Sequence, residues 1–245
     1  MFPYKASERW YSHRLRQEVS LARYGHFGQP LLLFPTAGGD AEECERFLMI
    51  NALRPLIDAG RLKVYSTDSV AGQAWMNPML SGVQRARIQT VFDEFICAEI
   101  VPAIRTDCHS LDIGILTAGA SLGAFNALAS LCRHPEIFTG AISMSGTYDF
   151  ERWMKGQWSN DFYFSSPLHF LPNLSGPQLD TLRERFVLLT CGLGRWEAPE
   201  ESRRVAHVLG SKGIPHQMDF WGPEWDHDWV TWRKMLPGYL DRILP

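Results

Sequence analysis

From Pro30 to the carboxyl end, short apolar runs alternate with longer segments whose apolar residues recur every three or four positions. PLLLFP, LKVYSTDSV, LDIGILTAG, TGAISMSGTYDF, RERFVLLTCG and IPHQMDFWG read as strands. Between them, AEECERFLMINALRPLIDAG, SGVQRARIQTVFDEFICAEIVPAIRTD, LGAFNALASLCRHP, APEESRRVAHVLGSKG and HDWVTWRKMLPGYLDRIL read as helices. Gly60 and Gly213 supply stops, and Pro102 predicts a bend or break in the longest helix. Strand and helix in strict alternation bury their apolar faces as a mostly parallel sheet with helices on both sides. The chain is therefore expected to be an α/β protein.

Two regions depart from the alternation. Upstream, RWYSHRLRQEVSLARYG offers two short runs that can pair as an antiparallel hairpin. Residues 151–183 hold Trp153, Trp158, Phe162, Tyr163, Phe164 and several prolines, a long connection for such a fold. It is either a cap-like insertion over a site or a surface insertion packed on its own aromatics. With no repeats or linkers, residues 1–245 are expected to form a single domain.

Composition narrows the partners. Net charge is -3 and no run of Lys or Arg occurs, so a nucleic-acid surface is not expected. The first twenty residues lack the apolar stretch of a secretory signal, and no run approaches the ~18 apolar residues of a membrane span. ICAEIVPAI is short and carries Glu99. A soluble, cytoplasmic protein without a membrane partner is the expectation. The five cysteines are scattered with no C-x-x-C, so neither a zinc site nor a redox motif is expected. Oligomeric state is not legible.

One stretch carries chemistry. LTAGASLGAFNAL contains Gly119-Ala120-Ser121-Leu122-Gly123, a G-x-S-x-G pattern between a buried strand and an apolar helix. Such a pattern also serves as a plain close-packing turn. At a strand-turn-helix junction it is what a nucleophile elbow requires, because the turn is tight and bulk two residues either side of the serine would clash. The helix that follows directs its N–H groups and dipole at the site.

A serine hydroxyl needs a base to take its proton. Of the eight histidines, His227 lies after the last strand and opens the last helix, where a base for such a serine belongs. His216 begins that strand and should sit at its far end, His207 reads as surface, and His134 ends the helix that Ser121 starts. The imidazole in turn needs a carboxylate to hold its tautomer. Glu197 is the first carboxylate past RFVLLTCG, and an oxygen within about 3.2 Å of His227 Nδ1 would mark the pair. Asp149, after AISMSGTYD, is the other candidate. Glu200 and Glu201 read as favourable charges at a helix start, and Asp226 and Asp228 adjoin His227 too closely in sequence to face it readily.

The oxyanion hole should use the Leu122 N–H and a second donor from FPTAGGD, with Thr36 and Ala37 best placed and Gly38 and Gly39 permitting close approach. Trp196 and Trp225 flank the acid and base as candidate pocket walls, whereas Trp229 and Trp232 recur at helical spacing and read as core.

FPTAGGDAEE, GASLGAFNAL, SGTYD, SSPLHFLPNL and SKGIPH…WGPEWDHDWVTWRKMLP together resemble the bacterial esterase D-like group of α/β-hydrolases, from about Pro30 to the carboxyl end. The resemblance implies an α/β-hydrolase fold, no cofactor, and acyl transfer through a serine ester, with Ser121 matching the group's nucleophile and His227 its histidine. Related proteins carry an aspartate where this chain reads GLGRWEA, so Glu197 is the departure. The expected activity is hydrolysis of a small-molecule carboxylic ester by Ser121, His227 and Glu197, with Ala37 and Leu122 backbone N–H groups at the oxyanion. An acyltransferase on the same residues and a non-enzymatic binding protein of this fold, the latter prompted by the missing aspartate, are the alternatives.

Overall fold

The computed structural model describes residues 4–245. β1 (Lys5–Ser12) and β2 (Gln17–Tyr24) form the expected antiparallel hairpin. Six strands follow: β3 (Gln29–Phe34), β4 (Leu62–Thr67), β5 (Ile115–Ala120), β6 (Phe138–Met144), β7 (Phe186–Cys191) and β8 (His216–Phe220). They run parallel to one another in an eight-stranded sheet of order β1-β2-β4-β3-β5-β6-β7-β8, with β2 joining β4 antiparallel.

Period-two alternation along the strands feeds two cores. Leu32 and Phe34 of β3 point to one face, and Leu31 and Leu33 to the other. The first face is covered by α3 (Val70–Met76), α4 (Gly82–Phe95), α5 (Val101–Asp107), α6 (Leu122–Arg133) and α11 (Pro199–Ser211). The second is covered by α1 (Glu43–Arg46), α2 (Met49–Asp58) and α12 (Trp229–Ile243). Strands buried on both sides explain the near-continuous apolar runs in the sequence.

Two expected helices differ in detail. The run over AEECERFLMINALRPLIDAG is broken at Leu48, which takes a left-handed φ of 62° between α1 and α2. Apolar spacing cannot register the break, because Glu43 of α1 is itself buried as a hydrogen-bond acceptor. In the long helix, the strain of Pro102 is absorbed upstream. Residues Ile96–Ile100 widen into a π turn, with the Val101 N–H donating to the Ile96 carbonyl, and the helix continues as α5.

Residues 151–183 fold into α7 (Glu151–Met154), α8 (Asn160–Ser165), α9 (Pro167–Phe170) and α10 (Pro177–Leu182). Met154, Phe162, Leu171 and Leu182 belong to the same core as the sheet, while Trp158 stays exposed, edge-on to Phe162.

The strand order reverses at β3. The chain passes from β3 outward to β4, then crosses back to place β5 on the other side of β3. In open α/β sheets the carboxyl ends of the strands at such a reversal form the crevice where ligands bind. Here those ends carry the turn at Thr36–Gly39 and Ser121.

Candidate active site

Ser121 lies at the end of β5 and caps α6 with φ 57° and ψ -121°, a conformation that costs a non-glycine residue on the order of 1–3 kcal/mol. The surroundings hold it there. Its N–H donates to the Met144 carbonyl at 3.0 Å, and its carbonyl accepts from Ala124 N–H at 3.1 Å and Thr147 N–H at 3.3 Å. A Cβ on Gly119 would lie 2.3 Å from the Gly123 carbonyl, and one on Gly123 would lie 2.5 Å from the Phe34 and Pro35 carbonyl oxygens. Both glycines are thus required by contact between backbones, as the turn chemistry demands. Among the described residues, no hydrogen bond joins Ser121 Oγ to His227. Such bonds are often long in free enzymes and close when substrate binds.

Glu197 is delivered by the loop after β7. Trp196 takes a left-handed φ of 67°, which sends its indole outward, 85 % exposed, and turns the next side chain inward. The Glu197 side chain is 1 % exposed and that of His227 is 22 % exposed. Glu197 Oε2 lies 3.4 Å from His227 Nδ1, slightly beyond the mark set from the sequence. Its other oxygen accepts from the Ser145 hydroxyl at 2.6 Å and from the Gly192 N–H at 3.2 Å. The His227 N–H donates to the Arg195 carbonyl at 3.0 Å, and its ring meets Trp232 edge-on at 5.1 Å.

The two loops that bring acid and base together interlock. Gly194 N–H donates to the Trp225 carbonyl at 3.0 Å, and Asp226 accepts from Arg195 through both backbone and guanidinium. A Cβ on Gly192 would fall 1.9 Å from the Trp225 carbonyl oxygen. The glycines of CGLG therefore serve a close crossing of the β7 and β8 loops. Trp225 packs edge-on against Trp221 at 4.8 Å. Trp232 is buried, and Trp229 stacks on Phe47 with ring centroids 5.0 Å apart.

The other carboxylates have partners of their own. Asp149 pairs with the Arg204 guanidinium and accepts from Glu151 N–H. Burial raises its pKa, but the Arg204 hydrogen bond and charge, with the Glu151 N–H, together outweigh this and hold the carboxyl below the usual range. Asp228 caps α12 by accepting from Val230 N–H. Glu201 does more than favour a helix start, since it accepts from the N–H groups of Tyr148 and Asp149 and so ties the β6 loop to α11. Among the histidines, His216 sits at the start of β8, His207 is exposed on α11, and His134 bonds Asp93 at 2.8 Å at the far end of α6.

The glycine turn after β3 is held by acceptors that sequence reading missed. Glu43 accepts from the Thr36 N–H and hydroxyl, each at 2.7 Å. Thr36 N–H is thereby committed inward and is not free to serve an oxyanion. Asp68 accepts from Ala41 N–H at 3.0 Å and Ser20 N–H at 2.7 Å, anchoring the turn to the hairpin. Among the described residues, no protein acceptor takes the N–H of Ala37 or of Leu122.

Among the described residues, one group has metal-ligating chemistry: Asp93, Cys97 and His134, whose ligand atoms lie within 4.8 Å of one another. The Asp93 oxygen facing His134 is also 3.2 Å from the Arg133 guanidinium, which supplies the positive charge a cation would bring. The cluster lies at the opposite end of α6 from Ser121, roughly 18 Å away along the helix. No helix among the described residues is long and apolar enough to cross a membrane.

The comparisons with known proteins agree with this architecture. Residues 71–243 match the family described as "Putative esterase". Among solved structures, the chain is similar to a ferulic acid esterase with a TM-score of 0.76 at 14 % identity, covering 98 % of each chain. It is similar to an S-formylglutathione hydrolase (FrmB) from Staphylococcus aureus with a TM-score of 0.63 at 16 % identity, covering 98 % of this chain and 95 % of that one. It is also similar to Mycobacterium tuberculosis MPT51 (FbpC1), with a TM-score of 0.71 at 18 % identity over 97 % of this chain and 98 % of the other. No curated protein sequence matches the chain. The matched span covers most of the polypeptide, and the chain belongs to this esterase family, enzymes that hydrolyse ester bonds.

Proposed function

We propose that the protein is a serine carboxylesterase in which Ser121 is the nucleophile, His227 the general base and Glu197 the residue that orients His227. The observation that carries the reading is the shielded Glu197 carboxylate facing His227 Nδ1, on loops that follow β7 and β8, at the same edge of the parallel sheet as the strained serine that ends β5. Ser121 Oγ attacks the ester carbonyl carbon while His227 takes its proton. The N–H groups of Leu122 and Ala37 receive the developing oxyanion. His227 then gives the proton to the leaving alcohol, and water, activated by the same imidazole, releases the acid from the acyl-enzyme.

Several features support these roles. α6 begins at Leu122, so its dipole and leading N–H groups address the oxyanion. The glutamate is one methylene longer than aspartate, and the turn at Trp196 brings the longer side chain back toward His227. A carboxylate from Glu197 facing His227 supports the enzymatic reading over a non-enzymatic one despite the missing aspartate. A small-molecule ester is the proposed substrate, a cytoplasmic location the proposed setting, and residues 151–183 the proposed cover of the site within one domain.

The test is turnover of a chain-length panel of aryl esters by wild type and Ser121→Ala. Loss of turnover with an unchanged melting temperature is expected, and unchanged turnover would sink the proposal. Running the same panel with added alcohols or thiols separates hydrolysis from acyl transfer, through the partition of product between acid and new ester.

A further inference from the structure

We propose that Ser145 is a positioning residue that fixes which oxygen of Glu197 faces His227. The inference rests on the reading of Glu197 as the partner of His227. It starts from the direction of one proton. The Trp232 indole N–H, which can only donate, gives its hydrogen to Ser145 Oγ at 2.9 Å. The hydroxyl's own proton is then left for Glu197 Oε1, at 2.6 Å. With the Gly192 N–H on the same oxygen at 3.2 Å, two donors hold Oε1 and leave Oε2 for His227 Nδ1.

A glutamate needs such a hold more than an aspartate does. It has one further side-chain torsion, and its terminal carboxylate torsion is broad and roughly two-fold. Without fixed donors on one oxygen, the carboxylate can turn away from the imidazole. The longer acid and its buried hydroxyl partner therefore form one device.

The backbone at Ser145 argues against a purely conformational role. The residue is 3 % exposed and takes a left-handed φ of 48°, with its N–H donating to the Thr190 carbonyl at 2.6 Å. Glycine would adopt that φ with less strain. What a serine adds is the hydroxyl, and every contact of that hydroxyl leads to the site. Trp232 completes the arrangement, because the same indole that directs the Ser145 proton packs edge-on against the His227 ring at 5.1 Å.

The test uses Ser145→Gly and Ser145→Ala, alone and combined with Glu197→Gln, on the full-length enzyme with an aryl ester. Both single variants should lose kcat by about 10- to 100-fold with KM within about twofold, as expected for removal of a charge-assisted hydrogen bond that acts through the acid. Ser145→Gly should melt at a higher temperature than Ser145→Ala, since it relieves the backbone, yet show the same loss of kcat. In the Glu197→Gln background neither change should lower kcat further. Wild-type kcat in both single variants would overturn the proposal. So would an equal fold-loss with and without Glu197, or a kcat that follows melting temperature. If Glu197→Gln alone keeps full activity, the reading of the acid itself fails. If Glu197→Gln is impaired and Ser145→Gly is not, only the role of Ser145 fails.

Discussion

Glu197 Oε2 faces His227 Nδ1 across 3.4 Å, from a side chain almost wholly shielded from water. The two residues belong to different loops, one after β7 and one after β8, and they meet because those loops cross at the Gly192–Trp225 contact. Glu197→Gln keeps the shape and replaces the carboxylate by an amide that no longer stabilises an imidazolium. A fall in kcat of about 10²- to 10⁴-fold with little change in melting temperature is the expected outcome. Steady-state kinetics and a thermal melt of the same preparation check it.

The crossing of the loops depends on residues without side chains. Gly192→Ala would push a Cβ to 1.9 Å from the Trp225 carbonyl oxygen, a backbone atom that cannot swing aside. The loops must part, which costs about 1–3 kcal/mol as overpacking and moves Glu197 from His227. A lower melting temperature together with a loss of kcat greater than tenfold is expected. Gly238→Ala, exposed within α12 where a Cβ meets nothing within 4 Å, is the control that should leave kcat unchanged and melt no lower than wild type.

Glu43 is expected to act on the oxyanion turn from behind. It accepts both hydrogen bonds of Thr36, and its removal leaves a half-buried backbone N–H and hydroxyl without their acceptor. Glu43→Ala should destabilise the fold by about 1–3 kcal/mol and lower kcat, because Ala37 then loses its fixed position. Chemical denaturation and single-turnover acylation separate the two effects.

A pH dependence of stability is built in away from the site. Burial raises the pKa of Asp107, but hydrogen bonds from Lys63 and Tyr65 and the charges of Lys63 and Arg23 together outweigh it and hold the carboxyl below its ordinary 3.8. A carboxyl depressed on folding contributes stability that is complete above the unfolded value and is lost as pH falls through the folded value. Asp107→Asn should therefore be less stable than wild type at neutral pH, and the gap should narrow as pH drops below 3.8. Urea melts at several pH values measure the difference.

Much of this architecture is legible in the sequence, and the reason is that its strongest signals are local. Buried strands such as LLLF and ILTAG are set by continuous apolar runs, and the G-x-S-x-G of residues 119–123 by a turn too tight for side chains. The position of His227 follows from its place after the last strand. What the chain hides are long-range polar contacts between residues of ordinary type. Ser145 stands among several serines and reaches Glu197 from 52 positions away, while Glu43 looks like a first-turn acid on a surface helix. The π turn before Pro102 keeps its apolar spacing, so periodicity predicts the helix but not its widening. The break at Leu48 is invisible because the buried side chain before it is the charged Glu43.

The central claim is that Ser121 is the activated nucleophile. The most direct measurement is the intact mass, followed by peptide mapping, of wild type, Ser121→Ala and His227→Ala after brief exposure to a fluorophosphonate probe. A single adduct on Ser121 in wild type is expected, absent in Ser121→Ala and formed much more slowly in His227→Ala. An adduct on another residue, or ester turnover by Ser121→Ala equal to that of wild type, would contradict the account.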